Sequence, residues 1–257
     1  MIDIALVSYI NTRPFMDGLG QVFDKSEARL HLMPPADCAT YLANGQCQLS
    51  LMPIGALNLF PKAAILPNYC IGADGAVESV FIFSQQPIEE LDTLILDRHS
   101  RTSNGLARIL LEHYWRKPLN LVQAQEKFFH QIDGRTGGVV IGDHAIRIRE
   151  KFQYVYDLSE IWKQMTGLPF VFAVWVYLPG TLNSLQKEQL NEAFRLGVRQ
   201  RRKTAERWAV PFDIPLDFAR HYLENCIDYQ FDAGKHRALN LYQDLLVKLR
   251  EPIKMMG

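Results

Sequence analysis

The chain has little of what marks a specialised class of protein. No apolar run approaches the roughly 20 residues that a bilayer span requires, so no membrane partner is expected. Its 28 Lys and Arg are matched by 28 Asp and Glu, which leaves no net field to attract nucleic acid or an anionic membrane surface. The 4 cysteines, Cys38, Cys47, Cys70 and Cys226, lie far apart with no C-x-x-C pair. That spacing disfavours a disulfide framework and points to reduced thiols in the core. G-x-S-x-G, H-E-x-x-H and Walker A sequences are missing, and Gly18-Leu19-Gly20 lacks the third glycine of a dinucleotide fingerprint. The 7 histidines form no close ligand pair, and His99, His113 and His144 read as surface or packing residues rather than bases. No cofactor and no metal is expected. The opening segment Met1 to Ser8 enters a strand at once, without the basic and apolar regions of an export signal, so the expected location is cytoplasmic.

With 257 residues and 48% hydrophobic content, a globular chain buries roughly 70 to 75% of its unfolded surface. Short apolar runs alternate with helical patterns through the first half, the signature of parallel α/β structure. The expected strands are Ile4 to Val7, Arg29 to Met33, Leu49 to Met52, Val77 to Phe83, Thr93 to Leu96, Leu119 to Val122, Val139 to Ile141 and Phe170 to Tyr177. Helices are expected over Asp37 to Asn44, stopped by Gly45, and over Thr102 to Trp115, with Leu106, Ile109 and Leu110 on one face. The last third is mostly helical. Leu190, Ala193, Phe194, Gly197 and Val198 share one face, as do Ala238, Leu241, Tyr242, Leu245 and Leu249. The basic run Arg199 to Lys203 is assigned to the first of these helices as a solvated face.

Ser84-Gln85-Gln86-Pro87 and Leu168-Pro169 read as paired crossings between two compact units. Residues 1–85 with 171–257 would form one lobe and residues 86–170 an inserted second lobe. The expected architecture is therefore α/β and two-lobed, with a small-molecule cleft between the lobes, on the plan of bilobal solute-binding proteins. The sequence leaves the oligomeric state open.

Several segments place polar groups at strand ends, where α/β proteins hold small anions. Ser8 to Phe15 is a polar loop that opens a helix near Pro14. Capping alone accounts for Thr12, whereas the carboxamide of Asn11 and the guanidinium of Arg13 suit an oxygen-rich anion. Asp97 to Gly105 starts a helix with Ser100, Arg101, Thr102 and Ser103 in succession, more donors than one cap uses. Ser79 interrupts an apolar strand pattern, and Asp143 follows the strand that ends at Ile141; each has an ordinary structural reading, as a bonded core serine and a helix cap. Thr166-Gly167-Leu168-Pro169 is a Gly/Pro turn running directly into the apolar strand Phe170 to Trp175, and it offers backbone N–H groups and a hydroxyl at that strand's mouth.

Taken together and in this order, Ser8-Tyr9-Ile10-Asn11-Thr12-Arg13-Pro14-Phe15, Leu96-Asp97 with Ser100 to Ser103, Ile141-Gly142-Asp143 and Thr166-Gly167-Leu168-Pro169-Phe170 to Trp175 resemble the chorismate dehydratase family of the futalosine route to menaquinone. The resemblance spans nearly the whole chain. It implies a periplasmic-binding-protein-like (type II) fold and loss of water from chorismate to give 3-[(1-carboxyvinyl)oxy]benzoate, with no cofactor. It implies Asn11 and Ser79 as the catalytic polar pair. Ser100, Thr102, Ser103, Thr166 and Gly167 are the implied substrate contacts, with Asp143 a weaker match to the family; Tyr9, Thr12, Arg13 and Arg101, in the same segments, are expected to touch the substrate as well. The sequence departs from the family in having Ile10 where leucine is common, and His144 between Asp143 and Ala145. A non-catalytic anion-binding protein of the same fold, or the sister lyase acting on cyclic dehypoxanthine futalosine, are the alternatives.

Overall fold

The structure, a computed structural model, describes residues 1–98, 100–125 and 128–249, together with the backbone of residues 254–255; His99 lies outside the described residues. Its strands are β1 (Ile2–Val7), β2 (Ala28–Met33), β3 (Leu49–Pro53), β4 (Ala64–Ala73), β5 (Val80–Ser84), β6 (Thr93–Leu96), β7 (Asn120–Gln123), β8 (Thr136–Ile141), β9 (Tyr154–Asp157), β10 (Phe170–Tyr177), β11 (Asp228–Phe231) and β12 (Lys254–Met255). The helices are α1 (Arg13–Val22), α2 (Pro35–Ala43), α3 (Arg101–His113), α4 (Gly142–Ile148), α5 (Leu158–Thr166), α6 (Ser184–Arg199), α7 (Arg201–Trp208), α8 (Leu216–His221) and α9 (Ala233–Lys248). Among the described residues no helix is long and apolar enough to cross a membrane.

Two sheets divide the molecule into two lobes. The first has strand order β11-β4-β10-β3-β1-β2 and the second β12-β7-β6-β8-β5-β9. Strand β1 pairs in parallel with β2 and β3, as the alternating pattern predicts. Strand β10 returns from the second lobe and enters the first sheet antiparallel to β3 and β4, so this sheet is mixed rather than parallel. Covered on both faces, β10 has no alternating polar side and reads as one apolar run. Trp175 stacks on Phe194 of α6 at 4.4 Å, with Phe15 of α1 edge-on to both at 5.4 and 4.9 Å. Each fully buried ring of this kind contributes about 2 kcal/mol or more by burial. Helices α1 and α6 meet backbone to backbone: a Cβ on Gly18 would lie 1.9 Å from the Ala193 carbonyl oxygen.

The crossing between lobes differs from the sequence expectation. Strand β5 belongs to the second sheet, where it pairs with β8 and β9. The outward crossing therefore runs through residues 74–79 and not through Ser84 to Pro87. Val77 to Phe83 reads as one strand, but Glu78 takes a left-handed conformation at φ 56° and breaks it. The carboxylate of Asp157 fixes that break: it accepts the N–H groups of Val77 and Glu78 at 2.9 and 2.7 Å, and those of Ser159 and Glu160 at the start of α5. The return crossing lies at 167–169, beside the expected Leu168-Pro169. At the other end of the chain β12 pairs with β7, so residues 254–255 sit on the second sheet rather than the first. The basic run also divides: α6 ends at Arg199 and α7 begins at Arg201, with Gln200 between them. All four cysteines are free and buried.

Candidate active site

Between the lobes lies a cavity walled by Tyr9, Asn11 and Thr12 from the loop after β1, by Ser79 from the crossing, and by Ser100, Thr102 and Ser103 at the start of α3. Apolar walls complete it, among them Leu51, Ile71, Ile141 and Phe172. Among the described residues every polar side chain on this wall is neutral at pH 7: hydroxyls, a carboxamide and the Tyr9 phenol, which burial holds above its ordinary value, with Asp97 and Asp143 adding to the shift. A wider surface depression around Arg116, Lys117 and Leu249 shares no lining residue with this cleft.

The local sequence explains how these groups converge. Strand β1 runs out at Val7, and the Thr12 hydroxyl folds the loop back on itself by donating to the carbonyl oxygens of Val7 and Tyr9. That turn presents Asn11 to the cleft. On the other side, Ser100 caps α3 by accepting the N–H of Ser103 at 3.3 Å. The dipole at this end of the 13-residue helix favours an anion. The Thr102 hydroxyl accepts the N–H of Gly55 and donates to the carbonyl of Phe172, so it joins α3 to the first lobe. Opposite Tyr9, Gly142 takes φ 66°, and a Cβ there would lie 2.8 Å from the Tyr9 ring.

Asn11 and Ser79 meet through a residue that sequence reading does not single out. The phenol of Tyr222 donates to Ser79 Oγ at 2.8 Å and accepts from Asn11 Nδ2 at 3.2 Å. Tyr222 is 1% exposed, and burial raises its phenol above the ordinary value. A second buried tyrosine, Tyr229, donates to the backbone carbonyl of Asn11 at 3.0 Å. Tyr222 begins the π-turn after α8 and Tyr229 lies on β11, both in the last third of the chain, where no local pattern singles either of them out.

A family profile described as menaquinone biosynthesis matches residues 2–248. The chain belongs to that family. A curated relative in Thermus thermophilus named chorismate dehydratase is 30% identical, over 84% of this chain and 86% of its own length. Among solved structures, an Archaeoglobus fulgidus protein superposes with TM-score 0.75 at 15% identity, over 96% of this chain and 97% of that one. A Candida albicans protein described as having the generic periplasmic binding protein fold superposes with TM-score 0.67 at 8% identity, over 100% and 98%. The two-lobed periplasmic-binding-protein-like fold read from the sequence is thus the fold of this menaquinone biosynthesis family member.

Not every expected contact reaches the cavity of this family member. Arg13, the first residue of α1, is buried off this wall, because its guanidinium is held over the rings of Trp208 and Phe212 at 4.5 and 4.8 Å. Arg101 occupies the first turn of α3 but projects to solvent. Asp143 is one residue past the wall, and its carboxylate accepts the N–H of Ile10 at 3.1 Å. Burial pushes this carboxyl up to about 6, against the opposing pull of the Ile10 N–H, Arg147 and Arg13. Thr166 and Gly167 close α5: Gly167 is its left-handed C-cap at φ 72°, and the Thr166 hydroxyl donates to the Trp162 carbonyl and accepts the Leu168 N–H. A helix end with these bonds satisfied accounts for the Thr-Gly pair without a ligand. His144 packs on Phe129, with ring centroids 4.0 Å apart, and His113 is exposed in the last turn of α3.

Proposed function

We propose that this protein converts chorismate to 3-[(1-carboxyvinyl)oxy]benzoate and water, acting as a hydro-lyase in the futalosine route to menaquinone. The observation that carries the reading is the convergence of Asn11 and Ser79 on one cavity whose remaining polar wall, among the described residues, is neutral. In chorismate, the ring carbon that bears the enolpyruvyl ether carries a hydrogen and its neighbour carries a hydroxyl. The proton leaves the first carbon, its bonding pair forms the new ring double bond, and the bond from the neighbouring carbon to oxygen breaks. Proton and hydroxide leave as water, and the ring becomes aromatic.

Aromatisation drives the reaction, so the protein's task is to hold one conformer, exclude bulk water and stabilise the departing oxygen. Neither an amide nor a serine hydroxyl is a competent base near neutrality. A carboxylate of the substrate itself fits the role of proton acceptor in a cavity walled by neutral dipoles. The hydroxyls of Ser100 and Ser103, with the positive end of α3, suit one of the two substrate carboxylates. Tyr9, Thr12 and Thr102 complete the wall around the ring.

The test is incubation of the purified protein with chorismate, followed by absorbance and mass measurement of the aromatic enol ether. Product accumulation supports the reading. Chorismate binding without product favours capture of the anion alone, and turnover of cyclic dehypoxanthine futalosine instead favours the sister lyase.

A further inference from the structure

Tyr222 opens a π-turn, Tyr222–Cys226, in which the N–H of Ile227 bonds the Tyr222 carbonyl at 3.0 Å. Such turns insert one residue into a helix, re-aim the side chains around it, and concentrate at functional sites. The turn is fastened to the lobe crossing next to Ser79. His221 Nε2 lies 3.2 Å from Cys226 Sγ and 3.8 Å from the carboxylate of Glu78, which is itself paired with Arg149. Phe218 stacks on the Tyr222 ring at 6.0 Å and fixes its plane. The result is a phenol delivered between two side chains 68 positions apart in sequence, without itself lining the cavity.

In the structure the bonds run in one direction. A phenol has one proton to give, and Tyr222 gives it to Ser79 Oγ. Its oxygen then accepts, which turns the amide nitrogen of Asn11 toward it and the amide oxygen away. Ser79, already accepting from Tyr222, keeps its own proton for a different partner, and the cavity is where the Ser79 side chain stands. The three groups form a directed chain from Asn11 N–H through the phenol O–H to Ser79 O–H, in which each link polarises the next.

We infer that Tyr222 is a positioning residue: it sets Ser79 as a hydrogen-bond donor toward the bound substrate and holds the Asn11 amide in one orientation beside it. The inference rests on the dehydratase reading for its chemistry. Without the phenol, Ser79 can rotate and donate to a neighbouring carbonyl instead, and Asn11 loses the partner that fixes its amide.

Tyr222→Phe keeps the ring and its stacking and removes only the hydroxyl. The expected result with chorismate is a fall in kcat of roughly 10- to 100-fold, with KM within about twofold. The pairing with Ser79 supplies a readout that a merely structural role would not move. If Tyr222 acts through Ser79 as well as Asn11, Tyr222→Phe slows the Ser79→Ala variant by clearly less than it slows the wild type, since only the hold on Asn11 remains to be lost. Unchanged kcat in Tyr222→Phe, or effects that multiply in the double variant, would overturn the inference. Should the wild-type protein not turn over chorismate, the dehydratase reading fails, and a crystal structure of Tyr222→Phe then decides the positioning claim. Asn11 and Ser79 in new rotamers over an unmoved backbone would support it; unchanged rotamers would refute it.

Discussion

The backbone N–H of Ile10 donates to the carboxylate of Asp143 across the cleft at 3.1 Å, so the loop that carries Asn11 is fastened to the opposite lobe by a buried acid. Burial makes ionised Asp143 costly in the folded protein but not in the unfolded chain, which moves its carboxyl from 3.8 up to about 6. Between those two values the folded protein binds more protons than the unfolded chain. Stability contributed by this group is therefore complete at acidic pH, falls as pH rises through about 4 to 6, and stays level above. Asp143→Asn retains an acceptor oxygen and cannot ionise. Its stability relative to wild type is expected to climb by on the order of 2 to 3 kcal/mol between about pH 4 and pH 7, as read from urea unfolding midpoints. Asp157, also raised to about 6 by burial, is present in both proteins and cancels. A difference that stays flat with pH would remove Asp143 from this linkage.

Asn11 and Ser79 should carry most of the chemistry that the cavity supplies. Each is tied to Tyr222 and stands on the cavity wall, so truncating either leaves the fold intact and the departing oxygen less well stabilised. Ser79→Ala and Asn11→Ala are each expected to lower kcat for chorismate by about 10²- to 10³-fold, with thermal midpoints within a few degrees of wild type. Ser103→Ala, at the anion-binding end of α3, is expected to raise KM more than it lowers kcat. Near-normal turnover in both Asn11→Ala and Ser79→Ala would remove the proposed roles.

How much of this was legible in the sequence depended on whether local pattern and tertiary setting agreed. Strands β6 and β10 carry uninterrupted apolar runs, and their bounds coincide with the expected ones. Strand β4 carries no local strand signature, because Pro67 and the left-handed Asn68 interrupt its pattern, yet the antiparallel neighbours β10 and β11 hold it in place. Polar groups at strand ends are visible in sequence as such, and of these Asn11, Ser79, Ser100 and Ser103 stand on the cavity wall. Whether a polar residue faces the cleft or its own helix end depends on one step of rotation or one residue of phase. Arg13, Arg101, Thr166 and Gly167 stand off the cavity wall in this structure. Tyr222 was hidden for a different reason: its phenol acts through a bond to a residue 143 positions away, and no local pattern encodes that pairing.

Gly142 tests the closeness of the two lobes at Tyr9. Its φ of 66° already disfavours a side chain, and a Cβ would meet the Tyr9 ring at 2.8 Å. Gly142→Ala must therefore move the ring or the strand end, at a cost of about 1 to 3 kcal/mol. The expected outcome is a lower thermal midpoint together with reduced kcat/KM for chorismate, because Tyr9 is part of the cavity wall. A stable variant with wild-type kinetics would mean that the ring swings aside freely and does not shape the site.

Gly167 provides the opposite pattern and separates cap from ligand contact. Its φ is 72° and the space around its Cβ position is open, so alanine there meets no neighbour and only the backbone conformation resists it. Gly167→Ala is expected to cost about 1 kcal/mol of stability. Thr166→Val, which removes the hydroxyl that bonds the Trp162 carbonyl and the Leu168 N–H, is expected to cost a similar amount. Because both residues close α5 and neither lines the cavity, chorismate KM and kcat should stay within about twofold of wild type in each variant. A tenfold rise in KM with an unchanged unfolding midpoint would return the Thr-Gly turn to the substrate site, and would require α5 to end closer to the cleft in the liganded protein than it does in this structure.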